Sequence, residues 1–389
     1  MVRYGFQALI DRQTQTSDAA VFKYDLPVRG GLSGLDVVFR ATNGSTDNED
    51  AYIPEVINKL EIIANGDQRL FSLTGKEAFK HFWHRDGHPP RNVMSEVENV
   101  VQEATFPIQF GRYLGDPQYG LDLSKYQNVQ LAIDYNLANG NAVSATTGFV
   151  TATAEISALM HITEANKTPG YRGFISTREI QNFTTVASGD QVIKLPHQWP
   201  IIGLGVYTEE EGTAPSTDIT HLRLSLDNDA RQPFRGRYDH FIEWLQQNMP
   251  CQRLDVDLNI DDADTRHVGM FPLKNVLGRP LDITWVTGTT DGVNNYFSGS
   301  CSADTFTAEG QKITSAKAGV VQSAIAAMAD LAVPAQAFGW PFHYLYFPLG
   351  DRYELQDILM PSEWGDGAVI LTQGGAGAYC GVVVEELRA

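Results

Sequence analysis

Short hydrophobic runs rich in Val, Ile, Leu and aromatic residues are separated along the chain by clusters of Gly, Pro, Asn and Asp, a pattern that predicts many short strands joined by turns. Residues 20–26 and 32–40 predict two strands separated by Pro and Gly, and 42–50 (TNGSTDNED), with no apolar residue, predicts a surface loop. Residues 56–63 predict a further strand, and Asn65-Gly66 beyond it supplies a turn between extended runs. Strands are also expected at 106–110, at 129–135 with Val129, Leu131 and Ile133 on one face, and at 149–162. One helix interrupts them at 74–83 (TGKEAFKHFW). There Thr74 can cap, Glu77 completes a capping box, and Ala78, Phe79, Phe82 and Trp83 share a face. Residues 114–126 (LGDPQYGLDLSKY) predict a turn leading into a single helical turn.

The same order of features then returns. Residues 26–37 (LPVRGGLSGLDV) match 195–206 (LPHQWPIIGLGV) at Leu, Pro, Gly, Leu and Val. Leu222, Leu224 and Leu226 answer Leu60 and Ile62, and Asp227-Asn228-Asp229 answers the Asn65-Gly66 turn. GRYDHFIEW (236–244) answers GKEAFKHFW (75–83), and LGDRYEL (349–355) answers LGDPQYGL (114–121). The offsets are 169, 161 and 235, so the copies are collinear and the second holds 74 more residues (235 less 161) between its helix and its LGD turn.

The extra segment, at about 250–335, is expected to hold strands at 251–259 and 271–285, a Gly/Asn/Ser-rich loop at 288–302, and an Ala-rich helix at 316–331 ended by Pro334. Each half thus offers about eight short strands with one early helix, which predicts an all-β fold of two tandem eight-stranded jelly-roll β-sandwiches with short helices. A doubly wound α/β fold would need a long helix after nearly every strand. The expected division is an N-terminal arm at 1–16, a first jelly roll at 17–165, and a second at 174–389 carrying the insertion. The arm, with Val2, Tyr4, Phe6, Leu9 and Ile10 and a single basic residue, Arg3, suits either a bilayer surface or neighbouring subunit, or docking on its own domain.

The formal charge of -18 argues against a surface that tracks a phosphate backbone, so no direct nucleic-acid contact is expected. Three distant cysteines, Cys251, Cys301 and Cys380, fit neither a disulfide framework nor a CxxC site and read as buried thiols of a reducing compartment. No run suits a signal peptide or a membrane span, so the sequons at Asn43, Asn166 and Asn182 are expected to carry no glycan.

Two collinear halves, each with a strand, turn and helix (IIANGDQRLFSLTGKEAFKHFW and LSLDNDARQPFRGRYDHFIEW), a later FGRYLGDPQYGLDLSKYQNVQLAIDY element and a closing YCGVVVEELR, resemble the double jelly-roll major capsid proteins of the lineage that includes tectiviruses and adenoviruses. That resemblance implies a virion protein made in the host cytoplasm, and a homotrimer of pseudo-hexagonal outline whose neighbouring trimers tile an icosahedral shell. It further implies minor capsid and vertex proteins as partners, an internal membrane as a partner of the N-terminal arm, and outer towers built from long loops such as the insertion and 288–302. The alternative is a jelly-roll carbohydrate-active or glycan-binding protein.

No catalytic, cofactor or metal residue is assigned. His81, His84 and His88 with Asp86 bring imidazoles close in sequence, but at no zinc-motif spacing, and the helix carrying His81 has a counterpart carrying His240. His84-Arg85-Asp86 lacks the other elements of a kinase. Asp255, Asp257 and Asn259, followed by Asp261, Asp262 and Asp264, resemble the start of a calcium loop, yet alternate with Leu254, Val256, Leu258 and Ile260 as a strand does. Glu209, Glu210 and Glu211 could supply a glycosidase carboxylate and read instead as a solvated loop before Gly212. These absences predict a structural, non-enzymatic protein.

Overall fold

The computed structural model describes residues 4–28, 30–45, 48, 51–139, 148–163, 170–209, 215–248 and 343–389, with backbone alone at 246 and in strands at 252–260, 264–268, 270–272, 281–290, 294–303 and 331–341. Strands β1 (Tyr4–Thr14), β2 (Ala19–Asp25), β3 (Gly31–Thr42), β4 (Ile57–Ala64), β5 (Gln68–Leu73), β6 (Asn92–Ser95), β7 (Val101–Gln109), β8 (Leu121–Asp122), β9 (Val129–Asn136) and β10 (Glu155–Thr163) make the first half. Helix α1 (Ile53–Val56) precedes β4 and α2 (Gly75–Asp86) follows β5. The strands order as β1-β10-β3-β7-β6 and β2-β9-β4-β5, so the chain crosses between sheets at most steps, with hairpins at β4–β5 and β6–β7, which is jelly-roll topology. The inward alternation of β3 (Leu35, Val37, Phe39) and β9 (Leu131, Ile133, Tyr135) fills the space between them.

The second half repeats this. It comprises β11 (Phe174–Thr184), β12 (Gly189–Lys194), β13 (Ile201–Glu209), α3 (Pro215–Asp218), β14 (Ile219–Leu226), β15 (Arg235–Arg237) and α4 (Tyr238–Asn248). Six strands follow: β16 (Gln252–Ile260), β17 (Asp264–Val268), β18 (Met270–Pro272), β19 (Leu281–Thr290), β20 (Asn294–Ala303) and β21 (Leu331–Pro341). The half closes with β22 (Tyr344–Pro348), β23 (Gly367–Gln373) and β24 (Tyr379–Arg388). Its sandwich orders as β11-β24-β13-β22 and β12-β23-β14-β15.

Ladder register tests the internal match. Gly34 lies opposite Gln109 and His161, and Val37 opposite Phe106 and Ala158; Gly203 lies opposite Pro348 and Glu385, and Val206 opposite Leu345 and Val382. The Leu-Pro motif therefore occupies the same place in both sandwiches. The helix match shifts. Leu60 pairs with Leu73, whereas Leu222, its counterpart, pairs with Gly236, and the two helices begin 163 residues apart (238 less 75) instead of 161. The second hairpin is one residue longer, with positive φ at Asp227, Asn228 and Asp229 where the first has it at Asn65 and Gly66. Trp83 and Trp244 are thus not counterparts, and neither are the helix positions of His81 and His240. The LGD turns both follow the strand beside β3 or β13, five residues after β7 and one after β22.

Other expectations meet the structure with different outcomes. Thr74 and Glu77 form the capping box, and Gly87 closes α2 in the left-handed conformation. The 42–50 loop is not all surface, for buried Asn43 donates to the Ser95 and Val97 carbonyls and accepts from Asn48 and Gln102. The residues read as an N-terminal arm include β1, an edge strand paired with β10 from Tyr4↔Thr163 to Thr14↔Glu155. The 288–302 stretch lies in the β19–β20 hairpin, paired from Leu281↔Ala303 to Thr290↔Asn294. Most of the expected Ala-rich helix lies outside the described residues, and Pro334, its expected stop, is in β21.

Candidate functional site at the seam between the sandwiches

Three devices join the halves, one of them a parallel pairing of β6 with β16 (Met94↔Val256, Ser95↔Asp257) that extends the first sheet into the second half. Strand β5 pairs in parallel with β11 (Phe71↔Thr177, Ser72↔Arg178), fusing a sheet of each sandwich into one eight-stranded sheet. Helix α2 then lies against the outer face of the β11-β24-β13-β22 sheet. It packs Phe79 and Phe82 into its own core and turns His81 and His84 outward. The hydrophobic core of the first sandwich runs on through Tyr207, Tyr344 and Val383 of the second.

The polar half of this seam is buried and paired. His81 Nδ1 lies 2.9 Å from the Tyr344 hydroxyl, and its Nε2 lies 3.1 Å from Glu385. Glu385 also accepts from Tyr346 and Arg352. Burial alone would raise the Glu385 carboxyl, but Arg352, His81 and Tyr346 hold it well below the usual carboxylate range. His84 Nε2 meets the Tyr344 carbonyl at 3.2 Å, and burial pulls its imidazole down to about 3. Tyr344 and Tyr346 reach the helix across Gly205 and Gly203. A Cβ there would come within 1.9 Å of the Tyr344 hydroxyl and 2.2 Å of the Tyr346 hydroxyl.

A second cluster lies along α2. Lys76 Nζ donates to Glu209 at 2.9 Å and lies 3.6 Å from Glu55, while Lys80 sits 5.0 Å over the Tyr207 ring. Burial works to raise Glu209, yet Lys80 and Lys76 bring it down to about 2; removal from solvent pulls Lys80 to about 8. His343 Nδ1 donates to the Thr208 carbonyl at 2.7 Å, and burial lowers it to about 3. Beneath the β5–β11 junction Lys59 pairs with Glu179, which also accepts from Tyr379 at 2.9 Å. Burial, then the neighbouring Glu179 charge, raises Glu77 to about 7.

The residues weighed for chemistry therefore separate. His81 and His84 belong to the seam, His88 is exposed against the Pro89 carbonyl, and Asp86 is taken by Arg85 at 2.7 Å, so they form no shared site. Among the described residues no group of three or more His, Cys, Asp or Glu is placed to hold a metal ion. Glu209, read as part of a solvated run, is a seam anion at the end of β13; Glu210 and Glu211 lie outside the described residues. Asp255, Asp257 and Asn259 lie in β16, Asp264 begins β17, and Asp261 and Asp262 lie outside the described residues. Cys380 is a buried thiol that burial pushes up to about 12.

Tyr344, Tyr346, Glu385 and Arg352 escape a reading of sequence alone. The available signal is that β22 (YLYFP) and β24 (YCGVVVEELR) are apolar or aromatic on both alternating faces, as strands covered on both sides are.

Tandem jelly rolls joined side by side define a double jelly-roll protein. The chain matches the STIV (Sulfolobus Turreted Icosahedral Virus) major capsid protein at TM-score 0.57 and 10% identity, over 98% of this chain and 96% of that one. It matches the major capsid protein P2 of bacteriophage PM2 at 0.50 and 8%, over 99% and 97%, and a chain of the PBCV-1 virus capsid at 0.53 and 10%, over 100% and 94%. The fold is that of double jelly-roll viral major capsid proteins. No protein-family model matches the sequence, and no curated protein matches it.

Proposed function

We propose that this chain is the major capsid protein of a virus, a structural, non-enzymatic subunit that forms homotrimers of pseudo-hexagonal outline tiling an icosahedral shell. The observation that carries the reading is the duplicated sandwich locked by a buried seam, supported by likeness in fold to capsid proteins along nearly the whole chain. Two jelly rolls per chain give a trimer six, which suits hexagonal packing. The first jelly roll is assigned to 17–165 and the second to 174–389, with the insertion at about 250–335 as the outward tower.

Neighbouring trimers, minor capsid proteins and vertex proteins are the partners of such a subunit, which is made in the host cytoplasm and resides in the virion. Its charge of -18 sets it apart from the packaged nucleic acid. Because β1 is committed to the first sheet, its exposed aromatic side chains are assigned to a neighbouring copy in preference to an internal membrane. Light scattering on the purified protein should give three times the 42.9 kDa chain mass. A monomer under every tested condition would remove the reading.

One feature favours the glycan-binding alternative. A polar cleft of about 1020 Å³ at the β5–β11 junction is lined by Tyr126 and Trp199 with Lys23, Asp134, Arg178 and Arg388. Aromatic faces beside paired charges suit a sugar. Saturable binding on a glycan array, lost on Trp199→Ala, would support that role.

A further inference from the structure

Strand β5 lies between β4 and β11 and leaves their sheet to enter α2, its last pairs being Leu73↔Leu60 and Ser72↔Arg178. The next residues on the two flanking strands, Lys59 and Glu179, meet across the gap that β5 leaves, Nζ against Oε2. Both stand at register shifts, between Ile57 and Lys59 in the β4–β9 ladder and between Glu179 and Gln181 in the β11–β24 ladder, and bulges of this kind re-aim side chains. Lys59 belongs to the first sandwich and Glu179 to the second, 120 residues further along. The Glu179 side chain is 4% exposed, so little water reaches its carboxyl group.

Two groups flank the pair. The Tyr379 hydroxyl donates to Glu179 Oε1 at 2.9 Å. Glu77, buried in the first turn of α2, accepts at Oε2 from the Thr74 amide at 3.0 Å and the Thr74 hydroxyl at 2.9 Å, while its Oε1 has no hydrogen-bond partner among the described residues. That bare oxygen faces Glu179 across Gly381, where a Cβ would clash with Glu77 Oε1 and lie 3.6 Å from Glu179 Oε1. With its carboxyl raised to about 7, Glu77 can both give and take a proton near neutral pH. An amine, a carboxyl acceptor, a hydrogen-bond donor on the acceptor oxygen and a proton carrier are the parts that amide formation needs.

We propose that Lys59 and Glu179 join in an isopeptide bond that ties the first sandwich covalently to the second. A proton passes from the Lys59 ammonium to Glu179 Oε2, and the amine lone pair attacks Glu179 Cδ. Negative charge develops on Oε1, where Tyr379 donates. Glu77 gives its proton to Oε2 and takes one from the nitrogen, ending as it began. The Cδ–Oε2 bond breaks, and Oε2 leaves with two protons as water. One ammonium and one carboxylate thus become one amide and one water, with no other reagent. Holding the two groups in contact supplies the proximity the step requires, and a neutral amide replaces an ion pair in a largely buried place. Burial, the larger cause, keeps the Glu77 carboxyl raised once Glu179 is neutral.

Mass spectrometry of the purified full chain tests this independently of its assembly. Wild type should be one water lighter than its 42.9 kDa chain mass, and trypsin should release a branched peptide joining residues 41–69, uncut at Lys59, to residues 179–194. Lys59→Arg keeps the positive charge but removes the amine, and should show its full mass. Glu77→Gln keeps a capping-box residue at the start of α2, so the helix is retained, and should form the link at least about 100-fold more slowly. A link formed by Glu77→Gln as fast as by wild type overturns the role of Glu77. Wild type at its full chain mass, with separate peptides ending at Lys59 and beginning at Glu179, overturns the proposal.

Discussion

Helices α2 and α4 follow the β4–β5 and β14–β15 hairpins of their sandwiches and end in different surroundings. Both bury an apolar stripe under their own sheet: Phe79 and Phe82 in one, Ile242 and Leu245 in the other. On the opposite side α2 carries His81 and His84 into bonds with the second sandwich, while α4 presents Glu243 and Trp244 to solvent. A duplicated fold thus separates what a helix does for its own sandwich from what it does for the neighbour. The inward stripe is common to both copies; the outward residues differ with what each must meet.

Removing the centre of the α2 side should have the largest effect. Glu385→Ala strips the carboxylate from Arg352 and His81 in a buried site, and should cost about 3–5 kcal/mol in urea unfolding. Loss of less than about 1 kcal/mol would mean that the seam charges are dispensable. Gly205→Ala comes next. Its methyl group displaces the Tyr344 hydroxyl from His81 and should cost about 1–3 kcal/mol, read by the same titration.

Acid should weaken the seam with a particular profile. His84 and His343, lowered from 6.5 to about 3, resist the proton that the unfolded chain accepts, so stability falls as pH drops below 6.5. Glu77, raised from 4.5 to about 7, opposes this, because it holds a proton in the folded state that the unfolded chain has lost, and so gains stability as pH drops from 7 to 4.5. Below 4.5 that gain is complete. Glu209, lowered to about 2, then joins the histidines, its stabilisation being lost as the pH falls through its folded value. Thermal melts should decline gently from pH 7 to 4.5 and steeply below; a flat profile down to pH 3 would contradict the burial of these groups. The smallest effect is Thr74→Ala, which removes the α2 cap at about 1 kcal/mol in the same unfolding assay. It sharpens the comparison by loosening α2 without touching its partners.

What sequence shows here is what is local. The Thr74–Glu77 box, the Asn65-Gly66 turn and the Leu-Pro motif each depend on residues a few positions apart, and each is found where the pattern puts it. Of the two-residue error in aligning the helices, one residue arises in a hairpin one residue longer in the second copy, a change that matching Gly and Trp letters conceals. β1 reads as an arm because its partner is some 150 residues away, and β19–β20 reads as a loop because Gly, Asn and Ser hide a ladder fixed by pairing. The seam is the extreme case. His81 and Glu385 are 304 residues apart, and only the folded chain brings them together.

A two-lobed shell subunit that forms pseudo-hexagonal trimers is tested most directly by electron microscopy of the purified wild-type protein. Class averages should show a six-lobed, pseudo-hexagonal particle. Isolated two-lobed particles under every tested condition would contradict it.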